Sequence, residues 1–244
     1  MRKVLFLIAV ALFSAQGMKA QDVEEFGLFD HVSLGVGVGT TGIGIEAAAP
    51  LGNHFQLRAG YTFDPGIKYK QNVDYKYHGD KYTTKAEAEL NIGDVNLLVD
   101  WYPFTNKTFR VTAGAYIGKE RFVTAQNLDP LAHDPDEGIY IGDKFIRVGD
   151  DKIAHAAIKV NAFKPYLGLG FGRAVAKSRV AFNFDLGVQF WGKPTLVGLD
   201  PDTGKWEEAK KSSDLGKEGD EFLDILSKIV VYPVLQFRLT YRIF

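Results

Sequence analysis

The chain has 244 residues, of which 46% are hydrophobic and 13% aromatic, and its formal net charge is −1. It contains no cysteine, which excludes disulfides, thiolate zinc sites, a cysteine nucleophile and a lipidated N-terminal cysteine. A near-neutral chain also lacks the basic face that nucleic-acid binding requires, so no nucleic-acid partner is expected.

The first twenty residues predict a signal peptide. Arg2 and Lys3 precede an apolar segment over residues 4–15, which is too short to span a bilayer. The small residue Ala20 stands before Gln21, as expected at a signal-peptidase site. We therefore expect residues 1–20 to be removed on export and residues 21–244 to form one domain, either soluble or a closed barrel in the outer membrane.

The exported part of the chain alternates between apolar and polar residues with a period of two, which is typical of β-strands. Such segments recur at residues 32–39, 43–48, 55–63, 86–101, 109–117, 167–171, 182–190 and 235–241. In the fourth segment the alternation changes phase, which predicts a β-bulge near Gly93. The pattern predicts an all-β fold of about eight strands.

The two faces of these strands decide the class of β protein. One face is apolar, with aromatic residues at the strand ends, as membrane interfaces select. The other face carries Gly, Ala, Thr and a balanced set of charges: Glu46, Asp94, Asp100 and Asp185 with Arg58, Arg110, Arg238 and Arg242. We predict a closed antiparallel up-and-down transmembrane β-barrel with these charges inside. A soluble lipocalin-like binder, with the apolar face inside, is the alternative.

The connections differ in length at the two ends of the predicted barrel. Short turns at residues 50–54, 104–107 and 175–179 alternate with long loops at residues 64–83, 120–158 and 192–231, and the short turn at residues 40–42 is the one exception among the long connections. This asymmetry favours short turns and both termini in the periplasm, with long loops outside. Residues 219–230 predict a short amphipathic helix in the last outer loop, and this helix near Ile225 either covers the mouth or packs on the rim.

Several strand segments resemble a known family. The segments FQLRAGYTF, LLVDWYPF followed by FRVTAGAY, KPYLGLGFGRAV, FNFDLGVQFWGKP and VYPVLQFRLTYRIF resemble small Gram-negative outer-membrane β-barrels, broadly like the outer-membrane protein A transmembrane domain. The resemblance covers most of residues 31–244 except the two longest loops, and the AQ at the cleavage site suggests a Bacteroidetes-type source. It implies outer-membrane lipid and lipopolysaccharide as partners, and a C-terminal strand ending at Phe244 that the barrel-assembly machinery reads. Most members of such a family have no assigned activity.

One set of residues suggests an enzyme. His31 and Ser33 share the predicted inward face, and a two-residue turn at residues 40–41 would place Glu46 opposite Gly35 on the neighbouring strand. A nucleophile, a base and an orienting carboxylate are what acyl transfer needs, as in lipid A deacylases. A short Ser on a regular strand is more often a structural hydrogen-bonding group, and no oxyanion donor is evident.

The inward charges allow two interpretations. About eight strands enclose a space that side chains fill, and an unpaired buried charge costs several kcal/mol, so a salt-bridged, plugged interior is favoured over a narrow channel for small solutes. The acidic segment 133–137, with Asp129 nearby, lacks the spacing of a calcium loop. We therefore expect a monomer with a structural or surface-interaction role and with no metal or other cofactor.

Overall fold

The computed structural model describes residues 26–77, 80–105, 107–131, 138–141, 144–211 and 230–244. Among these residues no helix is both long enough and apolar enough to cross a membrane. The predicted signal peptide, the acidic segment 133–137 and the predicted helix near Ile225 lie outside the described residues.

The described residues form strands numbered here in chain order: β1 (Ser33–Gly39), β2 (Gly42–Pro50), β3 (Phe55–Phe63), β4 (Lys68–Tyr77), β5 (Asp80–Leu90), β6 (Gly93–Trp101), β7 (Phe109–Gly118), β8 (Arg121–Asn127), β9 (Ile139–Ile141), β10 (Lys144–Ile146), β11 (His155–Lys159), β12 (Phe163–Phe171), β13 (Val180–Phe190), β14 (Thr195–Leu199), β15 (Trp206–Glu208), β16 (Lys210–Lys211) and β17 (Val231–Arg242).

Eight of the described strands close a barrel in the order β1–β17–β13–β12–β7–β6–β3–β2. Each pairs antiparallel with its neighbours, and the first and last strands join, with Val36 opposite Leu239. The closed eight-strand barrel predicted from the sequence is therefore confirmed. The chain termini and the turns after β2, β6 and β12 lie at one end, called the terminal end here. The opposite end is called the sheet end.

The alternation along each barrel strand separates two surfaces. Leu34, Leu97 and Phe182 on the outer surface are 52%, 57% and 80% exposed. Arg58 and Arg110, by contrast, are 2% and 0% exposed inside the barrel. Because successive residues of a strand point to opposite faces, the period of two places apolar residues outside and charges inside around the whole barrel.

A second sheet continues the barrel at the sheet end. Its strands follow the order β15–β14–β11–β8–β5–β4–β9–β10–β16 among the described residues. The sheet curls back on itself, since strands near its two ends approach each other. A Cβ atom built on Gly198 of β14 would lie 3.1 Å from Ile146 Cγ2 of β10. The curled sheet encloses its own apolar core, consisting of Tyr75, Leu131, Ile139, Ile146, Ala154, Ala156 and Ala209, with Tyr82, Val148 and Leu196 packed against it.

The segments predicted as long outer loops form much of this second sheet. Residues 64–83 contain β4 and the start of β5, and the predicted loops at residues 120–158 and 192–231 contain further strands. Residues 68–74 are exposed on both faces, and lysines on β4 pair with Glu87 and Glu89 on β5, so apolar alternation is weak there. Charged residues on both faces hide a strand from a pattern search that relies on burial of one face.

The predicted bulge near Gly93 is also wrong. Leu90 pairs with Val123 in the second sheet, whereas Gly93 pairs with Phe63 in the barrel. Asn91 and Ile92 carry the chain from one sheet to the other. The change of phase therefore marks a change of sheet.

Candidate functional site

The middle of the barrel contains a closed ring of six charged side chains, called the ion ring here. Adjacent members attract each other because acids and arginines alternate around it. The members are Glu46 on β2, Arg58 on β3, Asp100 on β6, Arg110 on β7, Asp185 on β13 and Arg238 on β17. Three positive and three negative charges make the ring neutral.

The first half of the ring is centred on Asp100. The Nε atom of Arg58 lies 2.7 Å from Asp100 Oδ2, and the Nε atom of Arg110 lies 3.4 Å from Asp100 Oδ1. Thr112 donates a hydrogen bond of 2.6 Å to the same Oδ1 atom. Asp100 is fully buried, and two arginines and one hydroxyl donor offset the cost of removing its charge from water.

The second half of the ring is centred on Asp185. Arg110 Nη2 lies 2.7 Å from Asp185 Oδ1, and Arg238 forms ion pairs with both Asp185 and Glu46. Arg58 Nη1, 3.4 Å from Glu46 Oε2, completes the circle. Each side chain of the ring is at most 9% exposed, so the ring is shielded from solvent.

Glycines on the two remaining barrel strands leave room for the ring. A Cβ atom at Gly170 on β12 would lie 2.7 Å from Asp185 Oδ1 and 2.8 Å from Arg110 Cζ. A Cβ atom at Gly37 on β1 would lie 2.5 Å from Arg238 Cγ. β1 and β12 therefore leave space for the charged side chains that the neighbouring strands direct into the barrel.

Little free space remains beside the ring. A cavity lined by Glu46, Arg58, Arg238 and both polar and apolar neighbours has a volume of about 20 Å³. That volume holds about one water molecule. The interior at this level is therefore filled by side chains.

A second buried ion pair lies at the sheet end of the barrel. Lys164 Nζ on β12 lies 2.7 Å from Asp94 Oδ1 and 2.9 Å from Asp94 Oδ2, and it donates to the backbone oxygen of Lys119 at 3.1 Å. Sequence reasoning found Asp94 but missed Lys164. The signal was present, because Lys164 alternates with the exposed Phe163 and shares the inward phase of Tyr166.

The turn after β12 closes the terminal end from inside, and residues 172–176 are called the terminal plug here. The backbone NH of Val175 donates to Gln56 Oε1 at 2.9 Å, and Gln56 Nε2 donates to Val175 O at 3.2 Å. Tyr102 Oη donates to the same Gln56 oxygen at 3.0 Å and accepts from the backbone NH of Ala174 at 3.1 Å. Ala174 and Val175 are fully buried.

Arg173 fixes the terminal plug to the neighbouring turns. Its guanidinium lies 4.3 Å from the ring centroid of Tyr102 and 5.4 Å from that of Phe26. It also donates to the backbone oxygens of Thr105 at 2.8 Å and Asn53 at 3.0 Å. Stacking and hydrogen bonds together satisfy a largely buried cation.

Two of the three residues that suggested an acyl hydrolase have other partners in the structure. Glu46 lies opposite Gly35, but its carboxylate pairs with Arg58 and Arg238 in the ion ring. The hydroxyl of Ser33 is buried and has no hydrogen-bond partner among the described residues, and His31 Nδ1 lies 2.8 Å from Asp30. Neither His31 nor Glu46 is therefore hydrogen-bonded to the hydroxyl of Ser33 in this arrangement.

The last of the predicted interior charges lies at the rim. Arg242 is the final residue of β17 at the terminal end and is half-buried. It stands apart from the ion ring.

The described residues hold no group of three His, Cys, Asp or Glu side chains suited to a metal ion. The two aspartates of the turn after β14 both pair with Arg147, which lies 2.7 Å from Asp200 and 2.5 Å from Asp202. Hydrogen bonds from the Thr203 backbone and from Arg147 hold the pKa of Asp200 below its ordinary value.

Comparison with known proteins gives a likeness to solved structures and nothing closer. No family model and no curated protein matches the chain. CarO from Acinetobacter baumannii is 20% identical with a TM-score of 0.46, over 86% of this chain and 96% of that one. CarO2 from the same organism is 18% identical with a TM-score of 0.49, over 88% and 99%.

A major outer membrane protein from Thermus thermophilus is 15% identical with a TM-score of 0.37, over 87% of this chain and 98% of that one. At these identities and TM-scores the likenesses support no inference about activity.

Proposed function

We propose that the chain is an outer-membrane β-barrel protein with a plugged interior and a structural or surface-interaction role. The observation that carries this proposal is the reversal of the usual arrangement of a soluble barrel. Leu34, Leu97 and Phe182 are exposed on the outside, while Arg58 and Arg110 are buried inside. In water, such an apolar belt would cost roughly 25 cal/mol for each Å² of exposed apolar surface, whereas in a bilayer this cost disappears.

Aromatic side chains at both ends of the belt support the same conclusion. Phe55 lies opposite Trp101 at the terminal end, and both are exposed. Tyr61, Phe63 and Phe190 are exposed near the sheet end. Aromatic residues favour the two interfaces of a membrane, so these positions fit the boundaries of the hydrocarbon layer.

The proposed orientation has the terminal end in the periplasm and the second sheet outside the cell. Bacterial outer-membrane barrels have short periplasmic turns and long extracellular loops, and this chain has that asymmetry. In this orientation β17, with Ile243 and Phe244 exposed just after it, would be the strand that the barrel-assembly machinery recognises. Residues 1–20 would direct export, and the barrel would work as a monomer.

Three closures along the axis favour a plugged barrel over a channel. The ion ring occupies the middle, the terminal plug occupies the periplasmic end, and an apolar core that includes Ile146 lies inside the curled second sheet. A neutral ring that satisfies its own charges also offers no fixed excess charge to select an ion. The outer surface of the second sheet is the part left for contacts with ligands, partners or the envelope.

Membrane insertion and conductance together test this proposal. We expect the protein to require detergent for extraction, to run at different gel positions before and after boiling, and to give no steady conductance steps in planar bilayers. The boiled and unboiled forms of the same sample control for insertion of folded protein. Extraction in buffer alone would contradict membrane residence, and large steady conductance from the folded form would contradict the plug.

A further inference from the structure

The rim of the barrel at the sheet end carries a one-sided group of exposed cations, called the cationic rim here. It consists of Lys119, Arg121, Lys159 and Lys193, all of which are exposed. One carboxylate accompanies them, since Glu120 Oε2 lies 2.9 Å from Lys159 Nζ. Four positive charges against one negative charge leave a positive surface at this position.

The strand register brings these cations together. Lys159 on β11 lies directly opposite Arg121 on β8 and, on its other side, directly opposite Thr195 on β14. Lys193 precedes Thr195 by two residues. Neighbouring strands are about 4.8 Å apart, so the group extends over about 10 Å across three strands. The acids Glu208 and Glu89 lie one level farther from the barrel, opposite Val197 and Thr124, and Glu89 pairs with Lys68.

Lys119 lies on the outer wall of the barrel. A Cβ atom built on Gly93 would lie 2.9 Å from Lys119 Cε and 3.3 Å from the hydroxyl of Tyr61. Gly93 shares the outward phase of the exposed Val95 and Leu97. The stem of Lys119 therefore covers apolar wall while its ammonium group stays exposed, as lysines do at a membrane interface.

Exposed apolar residues continue from the cationic rim toward the middle of the barrel. Ile117 lies opposite Phe163, and both are more than half exposed, as is Leu167 farther down β12. Lys159 ends β11, Phe163 begins β12, and both are exposed, so the cation and the apolar wall are separated by only three residues of the chain. A ligand on this side would meet cations at its head and apolar side chains along its tail.

We propose that the cationic rim binds the phosphate groups of an outer-leaflet glycolipid, a diphosphorylated disaccharide with several acyl chains. The inference rests on the proposed membrane function, which supplies the leaflet. A headgroup with more than one phosphate fits a group of cations spread over about 10 Å better than one phosphate does. The acyl chains then lie along Ile117, Phe163 and Leu167.

The test compares two variants that lose the same charge at opposite ends of the barrel. The rim variant carries R121Q, K159Q and K193Q. The matched control carries R179Q, K107Q and K177Q, which also removes one arginine and two lysines, here from the turns at the terminal end. Binding of diphosphorylated lipid A to each folded protein in zwitterionic detergent is measured by titration calorimetry, with dephosphorylated lipid A and inorganic phosphate as further probes.

We expect the rim variant to bind diphosphorylated lipid A about tenfold or more weakly, and the control variant to bind within about twofold of the unmodified protein. Dephosphorylated lipid A should bind weakly to all three proteins, and inorganic phosphate should not displace the lipid. An equal loss of affinity in both variants would overturn the proposal. Equal affinity for diphosphorylated and dephosphorylated lipid A would overturn it as well. Heat-modifiable mobility of each sample shows that the barrel is folded, so failure here is distinct from failure of the membrane proposal.

Discussion

The charged residues inside the barrel are explained by their partners. Arg110 is fully buried, yet it reaches Asp185 at 2.7 Å and Asn183 at 3.1 Å and also donates to the backbone oxygen of Gly172. Leaving water is costly for a guanidinium, and the contacts recover that cost only while every partner is present. The contact with Gly172 also connects the ion ring to the terminal plug.

At the residue scale, Arg110→Met should destabilise the folded barrel by about 3–5 kcal/mol, because Asp185 would then retain only part of its compensation in a buried site. Urea unfolding in detergent micelles or liposomes measures the change. The matched control is Arg147→Met, which breaks ion pairs with Asp200 and Asp202 on the second sheet, where the arginine is about half exposed. That control should change the unfolding free energy little, since solvent already screens the pair. Equal losses in the two variants would contradict the importance of burial.

At the scale of the element, neighbouring barrel strands contribute side chains of different size and charge to the ion ring. β7 contributes Arg110 and β13 contributes Asp185, while β12 between them contributes Gly170 opposite both residues. The strand register makes this arrangement possible, because a shift by one residue would exchange the inner and outer faces. The small residue is therefore as necessary to the ion ring as its charges are.

Gly170→Val should destabilise the barrel by about 1–3 kcal/mol despite the preference of valine for strands, because the added carbon atoms collide with Asp185 and Arg110. Ala113→Val places the same side chain on the exposed outer face of β7, opposite Val99 and Leu167, and should be neutral or mildly stabilising. The midpoint of urea unfolding compares the two variants. If both behave alike, the inner face has spare room and the account of Gly170 is wrong.

At the scale of the whole molecule, the chain has two interiors of opposite chemistry. The barrel is filled by ion pairs and polar side chains, whereas the second sheet encloses the apolar cluster around Ile146 and Tyr75. The barrel is held by eight closed strands, and the second sheet depends on its own core for stability. Local unfolding of the sheet can therefore occur while the barrel remains folded.

Ile146→Ala should weaken the second sheet by about 2–5 kcal/mol, because Ile146 is almost fully buried and the smaller side chain leaves a cavity. Limited proteolysis of the folded protein should then cut residues of the second sheet faster, while the barrel strands remain protected and heat-modifiable. Ile67→Ala removes the same atoms from an exposed site and should leave the cleavage rate unchanged. Loss of the barrel together with the sheet would show that the two interiors unfold as one.

The barrel could be predicted from the sequence because the alternation of apolar and polar residues is visible within each strand. The period of two assigns Leu34 and Leu97 to one face and Arg58 and Arg110 to the other, and neighbouring residues suffice to see it. The same method missed β4, whose residues 68–74 are exposed on both faces, and the first half of β5, and it missed Lys164 between Phe163 and Pro165.

The amino-acid sequence by itself determined the strand count of the barrel, the two faces and the set of charges that must be paired. Only the tertiary structure decided which charges pair, because Asp100 meets Arg58 through the register of β3 on β6 and meets Arg110 through the register of β6 on β7. It also decided that residues 172–176 turn into the barrel, that Glu46 joins the ion ring, and that a second sheet continues the barrel at the sheet end. Each of these depends on contacts between residues far apart in the chain, whose energies no local pattern encodes.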